Sequence, residues 1–144
     1  AQIGYKVEFY STSLTINPEN YDLEFYKKNA EKIEESIKKI NRLKNTAQEK
    51  GAILYENSLK LDNIIEKISD NCVPIILLDW GIVEGWEEKH PIHAVPIVGY
   101  DKDFVYVNEP GRNKMKNYKI KKDMFDKARK TPGTDEDIIF IYKK

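Results

Sequence analysis

An α+β fold is what this sequence predicts, and three observations carry it. Helical periodicity dominates the first half of the chain. Short apolar strands with tight turns dominate the second. Residues 92–100 and 104–108 read as two strands folded about one turn. Helices gathered early and antiparallel strands gathered late argue against a doubly wound parallel sheet, which alternates strand and helix throughout. The 144 residues fit a single unit spanning 1–144 and suffice to bury roughly two-thirds of the unfolded surface.

Taken in order, residues 5–10 (YKVEFY) alternate polar and apolar side chains, the period of a strand. Asn17-Pro18-Glu19 signals a helix start, with Asn17 as cap, Pro18 at the first helical position and Glu19 in the first turn. Apolar residues then recur in steps of three and four at Leu23, Tyr26, Ala30, Ile33, Ile37, Ile40, Leu43 and Ala47. Gly51 stops this amphipathic stripe. It predicts core packing and not a coiled coil, because the repeat is short and lacks heptad charges. Residues 52–55 predict a short strand. Asn57 or Ser58 is expected to cap a helix through Ile68, with Leu61, Ile64, Ile65 and Ile68 turned inward.

Residues 74–78 (PIILL) are continuously apolar, which predicts a strand buried on both faces. Residues 81–91 predict a loop holding Gly85, Trp86 and the charged run Glu87-Glu88-Lys89. The strands at 92–100 and 104–108 predict a hairpin about Asp101-Lys102-Asp103. Residues 111–117 predict a basic loop, and residues 121–130 a short helix with Met124, Phe125 and Ala128 inward. Residues 131–135 (TPGTD) predict a turn before a last strand at 138–142 (IIFIY).

Composition removes several functional classes. Lys and Arg together number 24, and so do Asp and Glu. This balance gives no electrostatic case for a nucleic-acid or anionic-membrane partner. No apolar run approaches the roughly 20 residues of a membrane span. One cysteine, Cys72, excludes an intrachain disulfide framework and leans toward a reducing, cytoplasmic setting. The chain opens at Ala1 with no initiator Met and no signal-peptide pattern, which is expected of a processed end, an engineered boundary or a fragment.

His93 is the first residue that could carry chemistry. It opens an apolar strand where Val or Ile would satisfy the pattern, so a structural, backbone-bonded histidine is the competing reading. The hairpin favours function. A chain that reverses near Lys102 brings His93 opposite the stretch Asn108-Glu109-Pro110-Gly111, within about two residues of register. A carboxylate or carboxamide there would fix the imidazole tautomer and support its protonated form. Successive strand residues point to opposite faces, so only one of Asn108 and Glu109 faces His93 in a regular strand.

Other candidates read more plainly. Glu87, Glu88, His90 and His93 lack the spacing of a metal site and are better taken as a solvated loop. No metal or other cofactor is expected. Trp80 and Trp86 flank that loop, as core anchors or as cleft walls. Arg112, Lys114 and Lys116 read as a solvated loop that could meet an acidic substrate segment. Cys72 follows a helix and precedes a buried strand, the setting of a small core residue and not of an activated thiolate.

The segment from His93 through Ala-Val-Pro-Ile-Val-Gly-Tyr-Asp-Lys-Asp-Phe-Val-Tyr-Val-Asn-Glu-Pro to Gly111 resembles the histidine and acid motifs of the C39-like, bacteriocin-leader cysteine peptidases. In that family a His opens an aliphatic strand ending in Gly-Tyr-Asp, and the next strand ends in Asn-Asp-Pro. Residues 50–142 carry the resemblance well and residues 1–50 loosely. It implies a papain-like fold, His93 as general base, and Glu109 in the place of the family's Asp, with Asn108 as rival orienter. It also implies thiolate attack on a peptide bond, a peptide or protein substrate and, for some members, attachment to a transporter.

The family's nucleophile has no counterpart in this chain. A Cys at the start of a long helix, preceded by a Gln, is missing; Asn17-Pro18-Glu19 opens the first long helix, and no Cys follows Gln2. Two expectations result. The preferred one is that the Cys-bearing N-terminal segment lies outside this chain. The other is an inactive, peptide-binding relative. A third reading is an acyl hydrolase or transferase acting on a non-peptide amide with the same fold.

Overall fold

A computed structural model describes residues 4–16, 24, 28, 33–86, 91–111 and 114–143. Among them the chain is α+β, with one seven-stranded mixed sheet and helices on both of its faces. The strands are β1 (Lys6–Ser11), β2 (Ala52–Glu56), β3 (Cys72–Asp79), β4 (Ile92–Tyr100), β5 (Phe104–Glu109), β6 (Met115–Lys121) and β7 (Ile138–Tyr142). The helices are α1 (Ile33–Glu49), α2 (Leu61–Glu66), α3 (Trp80–Glu84) and α4 (Lys122–Arg129).

The strand order is β2-β1-β7-β3-β4-β5-β6. Only β1 and β2 pair in parallel, and α1 lies in the crossover that a parallel pair requires. Every other neighbouring pair is antiparallel. On the inner face Tyr10, Phe140, Ile138, Ile76, Leu78, Val95, Ile97, Val105 and Val107 form one buried layer. Ile64 of α2 and Phe125 and Ala128 of α4 close over it. The outer face carries α1, which packs against β2.

Several expectations change in the structure. β3 alternates, with Cys72, Pro74, Ile76 and Leu78 buried while Val73 is 40% exposed. The PIILL run is therefore buried on one face and only partly covered on the other. Neither Asn57 nor Ser58 caps α2. Lys60 stands at that position without a side-chain bond, and the Ser58 hydroxyl donates instead to Glu136 Oε2 at 2.6 Å. The connecting loop is pinned because the buried Arg129 guanidinium donates to the Leu59 carbonyl at 2.8 Å. Met124 is exposed, and Arg129 takes an inward place in α4 beside Phe125 and Ala128.

Two elements lie where loops are predicted. Residues 80–84 form α3, capped by Asp79 Oδ1, which accepts from Ile82 N–H at 3.3 Å, and ended by Gly85 at φ +70°. Residues 115–121 form β6, whose Tyr118 and Ile120 pair with Val107 and Val105. The helix start at Asn17-Pro18-Glu19 and the stripe positions Leu23, Tyr26 and Ala30 lie outside the described residues.

Glu8 is a buried charge tied closely into the fold. It faces inward on β1, where it accepts from Tyr142 Oη at 2.8 Å and Lys67 Nζ at 3.0 Å, and Lys6 pairs with it at 2.8 Å. Burial alone would raise its carboxyl. The bonds from Lys6, Tyr142 and Lys67 outweigh that and hold it down at about 2. A carboxyl depressed on folding contributes stability above its unfolded value and loses it as pH falls toward the folded one. Glu8→Gln is therefore expected to lower the unfolding free energy by about 3 kcal/mol at pH 7. In urea titrations the gap to wild type should narrow between pH 4.5 and pH 2. A gap that stays constant with pH would assign the loss to packing instead.

Candidate functional site

The β4–β5 hairpin delivers His93 and Glu109 to one place. Its turn is built by Asp101, whose Oδ1 accepts from the backbone N–H of Asp103 at 2.8 Å and of Phe104 at 2.7 Å. Tyr100 pairs with Val105 and Gly99 with Tyr106, but Ile97 pairs with Val107. One extra residue therefore sits on β4 between Ile97 and Gly99. This bulge reverses the facing of everything beyond it. Without it, Asn108 would share the face of Ile97, Val95 and His93. With it, Glu109 does.

The two side chains meet directly. His93 Nδ1 lies 2.8 Å from Glu109 Oε1. Asn108 is turned to the other face, where its Oδ1 accepts from Asn117 N–H at 2.9 Å. The carboxylate side chain is only 3% exposed and the imidazole 36%, so the acid is sheltered while the base is open to a reactant. A carboxylate at Nδ1 requires the proton on that nitrogen, which leaves Nε2 of the neutral ring as the acceptor. Among the described residues Nε2 has no partner.

Gly111 completes the clamp. Its backbone N–H donates to both Glu109 oxygens, at 2.8 and 2.9 Å. A Cβ added there would stand 2.6 Å from Oε1 and 3.0 Å from Oε2. A side chain there would therefore push the Glu109 carboxylate aside, while glycine leaves the anion the donors that a buried charge needs.

Trp80 forms the wall behind the imidazole. It is 3% exposed, and its ring stacks on His93 with centroids 5.9 Å apart and planes 11° from parallel. α3 positions it, and its backbone N–H donates to the Pro91 carbonyl at 2.8 Å, tying that helix to the start of β4. Tyr118 packs on the same indole at 5.6 Å. Burial, with a bond to Glu84, pushes the Tyr118 phenol up. Trp86 is 49% exposed and is no core anchor. Lys114 and Lys116 are exposed and flank Met115, the cross-strand partner of Glu109. Glu87, Glu88, Lys89, His90 and Arg112 lie outside the described residues. Among the described residues no group of three His, Cys, Asp or Glu side chains is placed to hold a metal ion, and no helix is long and apolar enough to cross a membrane.

Cys72 is far from this pair. It lies at the start of β3, six residues before Leu78, the partner of His93, which is about 20 Å along a strand. It is 3% exposed, and burial pushes its thiol up. Both properties suit a core residue.

Fold and site together define an α+β protein in which a sheltered carboxylate orients an accessible imidazole. The guanylylate cyclase family model matches residues 1–141, and the chain belongs to that family. A protein of Arabidopsis thaliana called Guanylyl cyclase 1 is 29% identical over 150 residues, an alignment covering 92% of this chain and 53% of the relative. The chain thus spans about half the length of the curated relative it matches. No solved structure matches.

This membership overturns the cysteine-peptidase reading. The resemblance rested on one hairpin with its His and acid, whereas the family match extends over nearly the whole chain. The inactive peptide-binding and acyl-transfer alternatives drew on the same hairpin and go with it. The expectation of a peptide substrate loses its support.

Gly111→Ala tests the clamp. The added methyl is expected to displace the carboxylate and release the ring, so that neutral His93 shifts from mainly Nδ1–H to mainly Nε2–H. Long-range 1H–15N correlation spectra of the imidazole report this directly. An unchanged tautomer ratio in a folded variant would show that Gly111 does not hold Glu109.

Proposed function

We propose that this chain contributes the proton-transfer pair of a protein that cyclises a guanine nucleoside triphosphate. Family membership supports the substrate and the reaction, and the 2.8 Å contact between His93 and Glu109 is the observation that carries the step. In that step the ribose 3′-hydroxyl oxygen bonds to the α-phosphorus. The bond from that phosphorus to the bridging oxygen breaks, pyrophosphate leaves with the electron pair, and the hydroxyl proton passes to His93 Nε2. Glu109 stays ionised, keeps the ring oriented and offsets the imidazolium charge. Asn108 has no part in it, because it faces away.

Met115 pairs with Glu109 and shares its face, so Lys116 next to it in β6 points the other way and Lys114 lies just before the strand; neither is assigned to the triphosphate. A divalent cation that accompanies the nucleotide belongs to the substrate. The described side chains do not fit a resident metal, so no step is assigned to one. Trp80 covers one face of His93 and keeps water from that side.

A papain-like arrangement is the finer reading of the fold. It is supported by the helix-first, sheet-later order and by a His and an acid on adjacent antiparallel strands. One structural unit across residues 1–144 is supported by β1 and β7 sharing a sheet with the hairpin.

Incubating the full-length protein with GTP and Mg2+ or Mn2+ is expected to yield cyclic GMP, detected by mass spectrometry. His93→Gln should lower the rate by about 10²–10⁴-fold, the usual worth of a general base, with GTP binding retained. Wild-type protein that neither binds GTP nor forms cyclic GMP would overturn the reading, and so would His93→Gln with undiminished turnover.

A further inference from the structure

A cleft of about 510 Å³ lies between α1 and the β2-β1-β7 end of the sheet. It is on the opposite face from the dyad. Ile139 pairs with Ile75 and His93 with Leu78, and Ile75 and Leu78 are an odd number of residues apart on β3, so their side chains point opposite ways. The cleft is therefore independent of the proposed cyclase site. Its volume falls within the range of small-molecule sites.

Its two ends differ chemically. Val7, Phe9, Leu54 and Ile139 from three strands form an apolar floor, and Leu43 of α1, 54% exposed, overhangs it. Asp135 and Asp137 stand together where β7 begins. Asp137 is fixed there by its backbone, whose N–H donates to the Thr134 carbonyl and whose carbonyl accepts from Leu77 N–H, each at 3.0 Å. Its Oδ1 is buried with no hydrogen-bond partner among the described residues. Burial pushes this carboxyl up to about 6, the Asp135 charge adding and the nearby Ser11 hydroxyl, which donates to the Ser13 carbonyl at 2.7 Å, opposing. A buried carboxylate oxygen without a donor is costly, and such a group in a cavity marks a place where a ligand supplies the donor.

We propose that this cleft is a second binding site, for a small apolar molecule carrying a protonated amine, with its body on Phe9, Leu54 and Ile139 and its head at Asp137. The charge selects the occupant. Two carboxylates at one end repel an anion and leave a neutral apolar molecule with the Oδ1 atom still unpaired, whereas an ammonium group supplies both the charge and the hydrogen-bond donor.

Isothermal titration of the full-length protein with n-octylamine, n-octanol and n-octanoate below their aggregation limits tests this. Saturable binding of the amine at one site is expected, with the alcohol at least about tenfold weaker, the worth of a charged hydrogen bond, and the carboxylate not bound. Asp137→Asn should remove the preference for the amine. Ala47→Trp, which fills the cleft from the α1 side, should abolish binding and leave the His93 tautomer untouched. Equal binding of the three probes, or none of the amine, would overturn the proposal, and those results come from the wild-type protein even where a variant fails to fold. GTP turnover is unaffected by either result, so this proposal and the cyclase reading fail separately.

Discussion

β7 pairs with β1 along one edge and with β3 along the other, so five residues near the end of the chain join a parallel pair from its beginning to the antiparallel strands of its middle. Ile138 and Phe140 point from it into the inner layer, at 1% and 0% exposed. Without this strand β1 and β3 would each present a bare edge, and the two halves of the core would part. Its contacts with β1 span more than a hundred residues, so the loop-closure entropy of most of the chain is opposed by this one insertion. β4 builds outward from β3, and β5 from β4. The position of His93 is thus set by a strand that the chain makes last.

At the site, burial is divided unequally between two partners. Glu109 is sheltered and His93 is half-open, which is what an orienting acid and a working base require. Sheltering a carboxylate demands donors, and they come from the Gly111 N–H and the imidazole, with no lysine or arginine in contact among the described residues. A cation at Glu109 would compete with the ring for the same oxygens. The backbone donor leaves the histidine as the carboxylate's side-chain partner among the described residues.

The parts legible in the sequence were those fixed by local chemistry. Asp101-Lys102-Asp103 between two apolar strands specified the hairpin, and distance from that turn brought His93 near residues 108–111. The choice between Asn108 and Glu109 was not legible by that route, because it depends on a bulge, and the bulge reverses every facing beyond it. Gly99 inside a strand pattern was the available signal. α3 was hidden for another reason. Five residues are too few for a periodicity, and only its ends, Asp79 three residues before Ile82 and then Gly85, announced it. β6 was masked by its lysines, which occupy the solvent face of an outer strand, as edge strands often require. α1 was readable by its stripe, but the cleft beneath it was not, since the gap between a helix and a sheet is a property of packing and not of pattern.

The expectation of a peptidase has the same root. A hairpin that presents a base and its orienter specifies where a proton goes and says nothing about which atom loses it. A cysteine peptidase takes that proton from a thiol of its own. A cyclising enzyme takes it from a hydroxyl of the substrate. The imidazole geometry is common to both, so one His-and-acid segment is compatible with either chemistry. What separates them is the electrophile held opposite Nε2 and the charge that surrounds it. Here the cysteine lies about 20 Å along the sheet, buried with its thiol pushed up. A reaction whose nucleophile is brought in by the reactant would need only the imidazole and carboxylate found together here and would ask nothing of the one cysteine.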